Sequence, residues 1–391
     1  MIEPNEARLV ADLRDMVARQ SVNPFDGTAE PGRREQEFAD DLVRKMSALG
    51  LETGCREVVA GRPNVWGRLK GRGGAPTFML AAHTDTVGVA GYDNPFDPRL
   101  EDGRVYGRGA CDMKAAIACY FEVVRLIKDH GIILAGDLIL CFVCDEEHGM
   151  IGSLDVGRNG PHAAFGIIGE PTELAICPSH KGEVCLSFIT HGKAAHSSIP
   201  ENGVNAVEMM GAVITAFSGY NAELLADPNP HPLCGTGRFS MNVIRGGDIV
   251  SGIPERCELE VDRRYLPGED AAQIIADYDA RLKALQGDLP SLDYSISSPS
   301  LEVKPLDIAV GSPLVQTLSA AAREVLGREP DLAAFPGGTD APNLGFPCVI
   351  CGPGSIEQAH TTNEFVEIRQ MVQATSIYLT AVRKMIESES D

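Results

Sequence analysis

Apolar and polar positions along the chain fall into two textures. In the N-terminal third, residues 36–49 (QEFADDLVRKMSAL) repeat their apolar positions three and four apart and stop at Gly50, which predicts a helix. FMLAAHTDTV (78–87) is an apolar run that turns polar at its end, as a buried strand does at its carboxyl edge. Residues 113–131 predict another helix ending at a glycine, DLILCFVCDEE (137–147) a second buried strand ending in acids, and AFGIIGEP (164–171) a third. Strand–helix–strand alternation of this kind predicts a mixed, mainly parallel α/β sheet flanked by helices. The glycine-dense GRGGAP (71–76) has no Lys-Ser/Thr after it, so it reads as a hairpin turn and not a phosphate loop.

Near residue 182 the pattern changes. GEVCLSFITHG (182–192) alternates like a half-exposed strand; a helix around 203–217, strands in 238–248 and 256–270, and a helix near 270–286 follow. This predicts a smaller α+β domain, residues 182–297, inserted into a larger α/β domain made of residues 1–181 and 298–391. A helix near 312–326, the apolar strand in PCVICG and a C-terminal helix (366–387) complete the larger one.

Composition narrows the class. A chain of 391 residues carries two or three domains and has length enough to bury its own core. Hydrophobic residues at 44% and charged residues at 23% are ordinary for a water-soluble globular protein. The net charge of −21 repels nucleic acid and anionic membranes, so neither is an expected partner. No run reaches the ~20 apolar residues of a membrane span. The N-terminal MIEPNEARLVADLRDMV has no apolar core of a secretory signal. Eleven cysteines, an odd number in a large chain, point to thiols in a reducing cytoplasm. CFVC (141–144) and CVIC (348–351) have metal-site spacing, but in strands positions i and i+3 face opposite sides, so both read as core. Cys111 reads as a close-packed small residue, with an oxidation-sensitive thiol as the alternative.

The acids and histidines carry the chemistry. His83 and Asp85, Asp112, Glu146 and Glu147, Glu170 and His360 each fall at or near the carboxyl edge of a predicted strand or just before a helix, where open α/β sheets place ligands. Singly, each has an ordinary role: a solvated strand end, a helix N-cap, a structural histidine. Together, so many carboxylates at one edge require cations to neutralise them. Imidazole and carboxylate donors suit a pair of divalent ions, Zn²⁺ first, with Co²⁺ or Mn²⁺ as alternatives. His130, His148, His162, His180, His191 and His231 receive no role.

AAHTDTV (81–87), GRGACDMKAAIA (107–118), DEEHGMIGS (145–153), IIGEPTEL (167–174), HGKAAHSS (191–198), DRRYLPGE (262–269), GGTDA (337–341) and GPGSIEQAH (352–360) occur together and in order. As a set they resemble the M20 metallopeptidase and deacylase family. The resemblance implies a zinc-exopeptidase-like catalytic domain and an inserted domain that is both lid and dimerisation domain, hence a homodimer. It implies that His83, Asp112 and Glu170 hold one metal and that Asp112 bridges to a second held by Glu147 and His360. Asp85 would hydrogen-bond His83 and fix its tautomer. Glu146 would be the general base, its role separated from that of Glu147 because neighbouring strand residues point opposite ways. His196 would reach the partner subunit's site and meet the oxyanion. Asn242 and Arg264 would contact substrate, Arg264 by bidentate pairing with an α-carboxylate, helped by Gly337, Gly338 and Thr339.

On this resemblance Glu146 takes a proton from the attacking water and returns it to the leaving nitrogen. Glu170, where aminopeptidase members of the family usually carry Asp, points to a deacylase or carboxypeptidase. GPGSIEQAH and the HKG at 180–182 resemble acetylornithine deacetylases. The expected substrate is an N-acyl amino acid, N-acetylornithine first, although no acidic pocket for a cationic side chain is visible. A desuccinylase, a carboxypeptidase or dipeptidase, and a non-catalytic binding protein keeping the fold remain the alternatives.

Overall fold

A computed structural model describes residues 2–24 and 35–387. Four strands run parallel through the middle of one sheet, side by side in the order Leu138–Val143, Phe78–His83, Phe165–Ile168 and Cys348–Ile350. Phe78–His83 and Leu138–Val143 are buried at every position, as strands covered on both faces must be. Antiparallel strands flank this centre: Arg62–Leu69 and then Glu52–Val59 on one side, Ile176–His180 on the other. The protein is thus a mixed α/β molecule with a sheet parallel at its heart and flanked by helices.

Helices Ala115–Asp129 and Ile368–Ile386 pack on the sheet through Tyr120 and Tyr378, whose ring centroids lie 5.1 Å apart. Both rings are fully buried, and a buried phenol needs a partner. Tyr120 donates to the Ala81 carbonyl at 3.1 Å and Tyr378 to the Cys351 carbonyl at 2.7 Å, so each hydroxyl ties a helix to a strand that leads into the site.

The chain divides into two compact units. One comprises the chain up to Ser179, Ile308–Phe335 and everything from Thr339 on; the other comprises His180–Asp307 with Pro336–Gly338. In the second unit, strands Arg238–Gly246, Arg256–Tyr265, Gly182–His191 and Asp293–Ile296 form an antiparallel sheet in that order. Leu301–Val303 also pairs with Gly182–His191, so this sheet runs past residue 297. Arg256–Tyr265 alternates exposed and buried positions, giving the sheet one wet face and one dry face. The dry face packs on helices Ala206–Phe217 and Ala271–Asp288 around Phe188, Phe217, Phe239 and Tyr278. Asn205 and Asp270 cap these helices by accepting backbone N–H groups of the first turn.

Two local expectations are corrected. Residues 71–76 are not a hairpin turn, because Leu138–Val143 lies between Arg62–Leu69 and Phe78–His83. The glycines instead let the loop press against the segment before Leu138: Arg72 and Gly73 donate to the carbonyls of Leu134 and Ala135, and a Cβ on Gly136 would sit 2.0 Å from the Pro76 oxygen. The strand expected over 137–147 ends at Val143, and Glu146 and Glu147 lie in a turn. Their separate orientations therefore come from the turn and its anchors, not from strand pleating. Among the described residues no disulfide forms, and the four cysteines of the two C-x-x-C segments are buried. No described helix is long and apolar enough to cross a membrane.

Candidate metal centre

The carboxyl ends of the four parallel strands converge on one site in the first unit. His83 is the last residue of its strand, Glu146 and Glu147 follow Val143, Glu170 lies two residues beyond Ile168, and His360 sits on the loop after Ile350. Asp112 comes from the segment Ala110–Lys114 that leads into helix Ala115–Asp129.

Asp112 stands between the two imidazoles. One carboxylate oxygen is 3.0 Å from His83 Nε2 and the other is 3.5 Å from His360 Nε2. Glu170 lies 3.9 Å from His83 Nε2, and Glu147 lies 3.0 Å from His360 Nε2. His83, Asp112 and Glu147 each offer a donor atom within 4.8 Å of the others. All five expected ligands therefore meet.

Backbone donors hold the acids in place. The Asp85 carboxylate accepts the N–H groups of Glu146 and Glu147, both at 3.1 Å, and the Asn23 amide at 2.7 Å. This differs from the expected contact with His83: the carboxylate is 3.7 Å from Nδ1, whereas the Asp85 carbonyl is 2.9 Å from it. Chain direction explains the difference, since the strand ends at His83 and the Asp85 carbonyl folds back while its side chain turns to the acid-bearing turn. The tautomer is still set, with Nδ1–H donating and Nε2 facing Asp112.

Glu364, fully buried, is a further anchor that sequence reasoning missed. It accepts the backbone N–H groups of Gly109 (3.0 Å), Cys111 (2.8 Å) and Asp112 (3.0 Å) and the Arg108 guanidinium (2.5 Å). Gly109 adopts φ +81 inside this turn, and a Cβ there would lie 2.8 Å from the Thr86 methyl. Gly352 serves a similar close approach, since its Cβ would lie 2.4 Å from the Glu170 carbonyl oxygen.

The electrostatics call for cations. Burial pushes Glu146 and Glu170 well above the usual carboxylate range, and the neighbouring acids add to the shift, Glu170 on Glu146 and Asp112 on Glu170. Burial and Asp112 raise Glu147 to about 7. Burial alone would lower His83, but its hydrogen bond to Asp112 and the surrounding carboxylates raise it well above the usual imidazole value. Hydrogen bonds to Asp112 and Glu147 raise His360 to about 10. Burial opposes ionisation of Asp112, but the two imidazoles outweigh it and hold its carboxyl below the usual range. Protons are here compensating negative charge that divalent ions would compensate better. Glu170 Oε1 is buried with no hydrogen-bond partner, as an open ligand position requires. The nitrogen and oxygen donors suit Zn²⁺, Co²⁺ or Mn²⁺, so the residues fit a metal.

Asp340, also unforeseen, is buried beside this site. Burial raises it to about 7; one of its oxygens has no hydrogen-bond partner, and its charge contributes to the shift at Glu146. Thr339 is buried next to it.

The other expected contact residues belong to the second unit. His196 is exposed, with Nδ1 2.8 Å from the Ser198 hydroxyl. Asn242 is exposed at a bulge in strand Arg238–Gly246. Arg264 forms an ion pair with Glu183 at 2.6 Å and donates to Asp262 at 3.1 Å, so the two acids of the group Glu183, Cys185 and Asp262 already share a guanidinium. Gly337 and Gly338 are half-buried in the same unit.

Residues 79–384 match peptidase family M20/M25/M40. The chain belongs to this family. It is a hydrolase of amide bonds, as the family's peptidases and deacylases are. The chain is 30% identical over 417 residues to an N-formyl-4-amino-5-aminomethyl-2-methylpyrimidine deformylase of Bacillus subtilis, with 97% of this chain and 94% of that one covered. It is 30% identical to an acetylornithine deacetylase of Aliivibrio salmonicida, with 90% and 92% covered. Its fold is that of a tripeptidase from Staphylococcus aureus (TM-score 0.80, 22% identity, 98% and 99% covered). An M20 family metallo-carboxypeptidase from Sulfolobus solfataricus shares the fold as well (TM-score 0.78, 17% identity, 96% and 98% covered).

Proposed function

We propose that this M20 hydrolase is a two-metal deacylase that cleaves the amide of an N-acyl amino acid, with N-acetylornithine as the first substrate to test. The observation that carries the reading is the placement of Asp112, whose two oxygens face different imidazoles. His83, Asp112 and Glu170 would hold one ion, and Asp112, Glu147 and His360 the other, Zn²⁺ fitting the donors best. Bound there, the ions would supply Lewis acidity toward the scissile carbonyl.

The chain's own residues do the rest. Glu147 pairs with His360, whereas no ion pair ties Glu146 to an imidazole among the described residues, which leaves Glu146 available as a base. Its place in the turn beside Glu147 suits a group that takes a proton from water and passes it to the leaving nitrogen. Asp85 holds the turn that carries it. His196, exposed and hydrogen-bonded through its ring to Ser198, would meet the developing oxyanion from the partner subunit. Arg264, Asn242, Gly337, Gly338 and Thr339 would bind the substrate carboxylate, Arg264 by exchanging its Glu183 and Asp262 partners. The catalytic domain would be the first unit and the lid and dimerisation domain the second, whose sheet carries the expected 182–297 on to Val303.

A homodimer is supported by the second unit's edge. Strand Arg238–Gly246 pairs on one side only among the described residues, and Ile244, Ile249, Val250 and Val207 are exposed in that unit. Unbridged cysteines support a cytoplasmic location.

A second reading is deformylation of an N-formyl aminomethylpyrimidine, supported by the relative of that name covering 97% of this chain. Metal analysis joined to a hydrolysis screen of N-acetyl, N-succinyl and N-formyl amides and dipeptides separates the readings. Release of acetate from N-acetylornithine in a two-metal enzyme is the expected result. Turnover of only the formyl pyrimidine selects the second reading, and no turnover of any amide rejects the first.

A further inference from the structure

Behind the Glu146–Glu147 turn lies a buried charged group that neither the ligand set nor the proton chemistry uses. Glu35 and Arg62 are 3% exposed, Asp145 2%, Asp85 1% and Asn23 0%. They come from five separate stretches of chain. Arg62 Nη2 forms an ion pair with Asp145 Oδ1 at 2.7 Å, and Nε and Nη2 donate to the two oxygens of Glu35. Asn23 Nδ2 bridges Asp145 Oδ1 (3.0 Å) and Asp85 Oδ2 (2.7 Å). Asp85 in turn accepts the N–H groups of Glu146 and Glu147. Asp145 closes the far side of the same turn: Oδ2 accepts from Gly149 at 3.1 Å and its carbonyl accepts from Met150 at 2.6 Å, with Asp145 itself at φ +68.

Two carboxylates, Glu35 and Asp145, share one buried guanidinium, and a third, Asp85, joins them through Asn23. A buried ion pair adds little to stability over well-packed apolar residues, so stability alone does not account for this group. What the group does have is a connected path, an ion pair from Arg62 to Asp145 and hydrogen bonds beyond it, to both ends of one turn.

We infer that Arg62 is a positioning residue: through Asp145, and through Asn23 and Asp85, its guanidinium fixes the turn that presents Glu146 and Glu147. The inference deepens the deacylase reading and rests on it for what the turn does, but the rigidity of the turn is measurable without turnover.

The experiment compares the full chain with Arg62→Met and Arg62→Lys, metal-free for hydrogen exchange and metal-loaded for kinetics. In Arg62→Met the amides of Glu146 and Glu147 should exchange about tenfold faster or more, while those of helix Ile368–Ile386 stay within about twofold. In the same variant kcat should fall about tenfold or more with KM within about threefold, and Arg62→Lys should recover part of both. Unchanged exchange at the two amides overturns the inference, and so does equal acceleration in the helix, which is the mark of general destabilisation. If Arg62→Met does not fold, Asn23→Ala cuts the same path while leaving the Arg62–Glu35 pair in place. Local acceleration at Glu146 and Glu147 then supports the path, and its absence overturns it. A wild type that hydrolyses no amide defeats the deacylase reading, while the exchange result still decides the role of Arg62.

Discussion

The two units treat their polar residues in opposite ways. In the first, every acid of the site is buried or half-buried, and the anchors Asp85 and Glu364 each collect backbone N–H groups from the loops that carry the ligands. In the second, His196 and Asn242 are exposed and Arg264 is partly exposed between two acids. Fixed dipoles in a dry site act strongly on charge, whereas solvated groups are screened and cheap to move. The first unit is therefore built for preorganised chemistry. The second offers contacts that can form and break as substrate comes and goes.

The largest effect expected from this contrast is at Glu146. Glu146→Gln should lower kcat by about 10³-fold while elemental analysis still finds both ions, because a general base contributes about 10²–10⁴ and the residue is not a ligand. Full turnover in that variant would reassign the base. Glu364→Ala comes next. It leaves the Arg108 guanidinium and three backbone donors without their acceptor, so a loss of about 3–5 kcal/mol is expected in denaturant unfolding, with lowered metal content from a displaced Asp112. A stability change below about 1 kcal/mol would show that Glu364 is not the anchor.

His196→Ala tests the other side of the contrast. An exposed residue should change stability by less than about 0.5 kcal/mol, yet turnover should fall about 10²-fold if it meets the oxyanion. Unaltered kcat removes it from that role. The smallest effect concerns His180, which is buried at the start of the second unit and lowered to about 4 by burial, against its hydrogen bond to the Lys181 carbonyl. Its folded value lies below the ordinary 6.5, so the unfolded chain binds more protons between those values, and stability falls as pH drops from about 6.5 toward 4. His180→Asn should flatten that slope, sparing up to about 2 kcal/mol at pH 5, as read from urea midpoints. Parallel profiles for the two proteins would exclude the histidine as the cause.

The strand ends are legible in the sequence, because an apolar run that turns abruptly acidic is what a buried strand opening onto a polar site must look like. His83, Glu147, Glu170 and His360 are visible for that reason, and Asp112 by its place before a helix. The anchors are not visible. Glu364 lies in HTTNEF, where nothing local separates a buried acceptor of four donors from a solvated acid, and Asp340 stands in a glycine-rich loop without periodicity. Arg62 looks like one more strand arginine until Glu35 and Asp145 arrive from elsewhere in the chain. Strand order is equally hidden: the chain neighbours 62–69 and 78–83 are separated by 138–143, which no local pattern announces. The chemistry is written in residue type and position, and its support in contacts between distant segments.

The spacing of His360 and Glu364 has its own consequence. One short stretch carries an imidazole that faces Asp112 and, four positions on, the acid that fastens the Asp112 peptide, with the Thr361 carbonyl between them receiving Arg108 at 3.2 Å. Length, more than identity, is what this stretch must preserve. Side chains at Thr362 and Asn363 are exposed and free to vary, but one residue gained or lost would pull ligand and fastening out of step together. A chain related to this one that differs in length there should be expected to have rebuilt both halves of its centre or to have abandoned it.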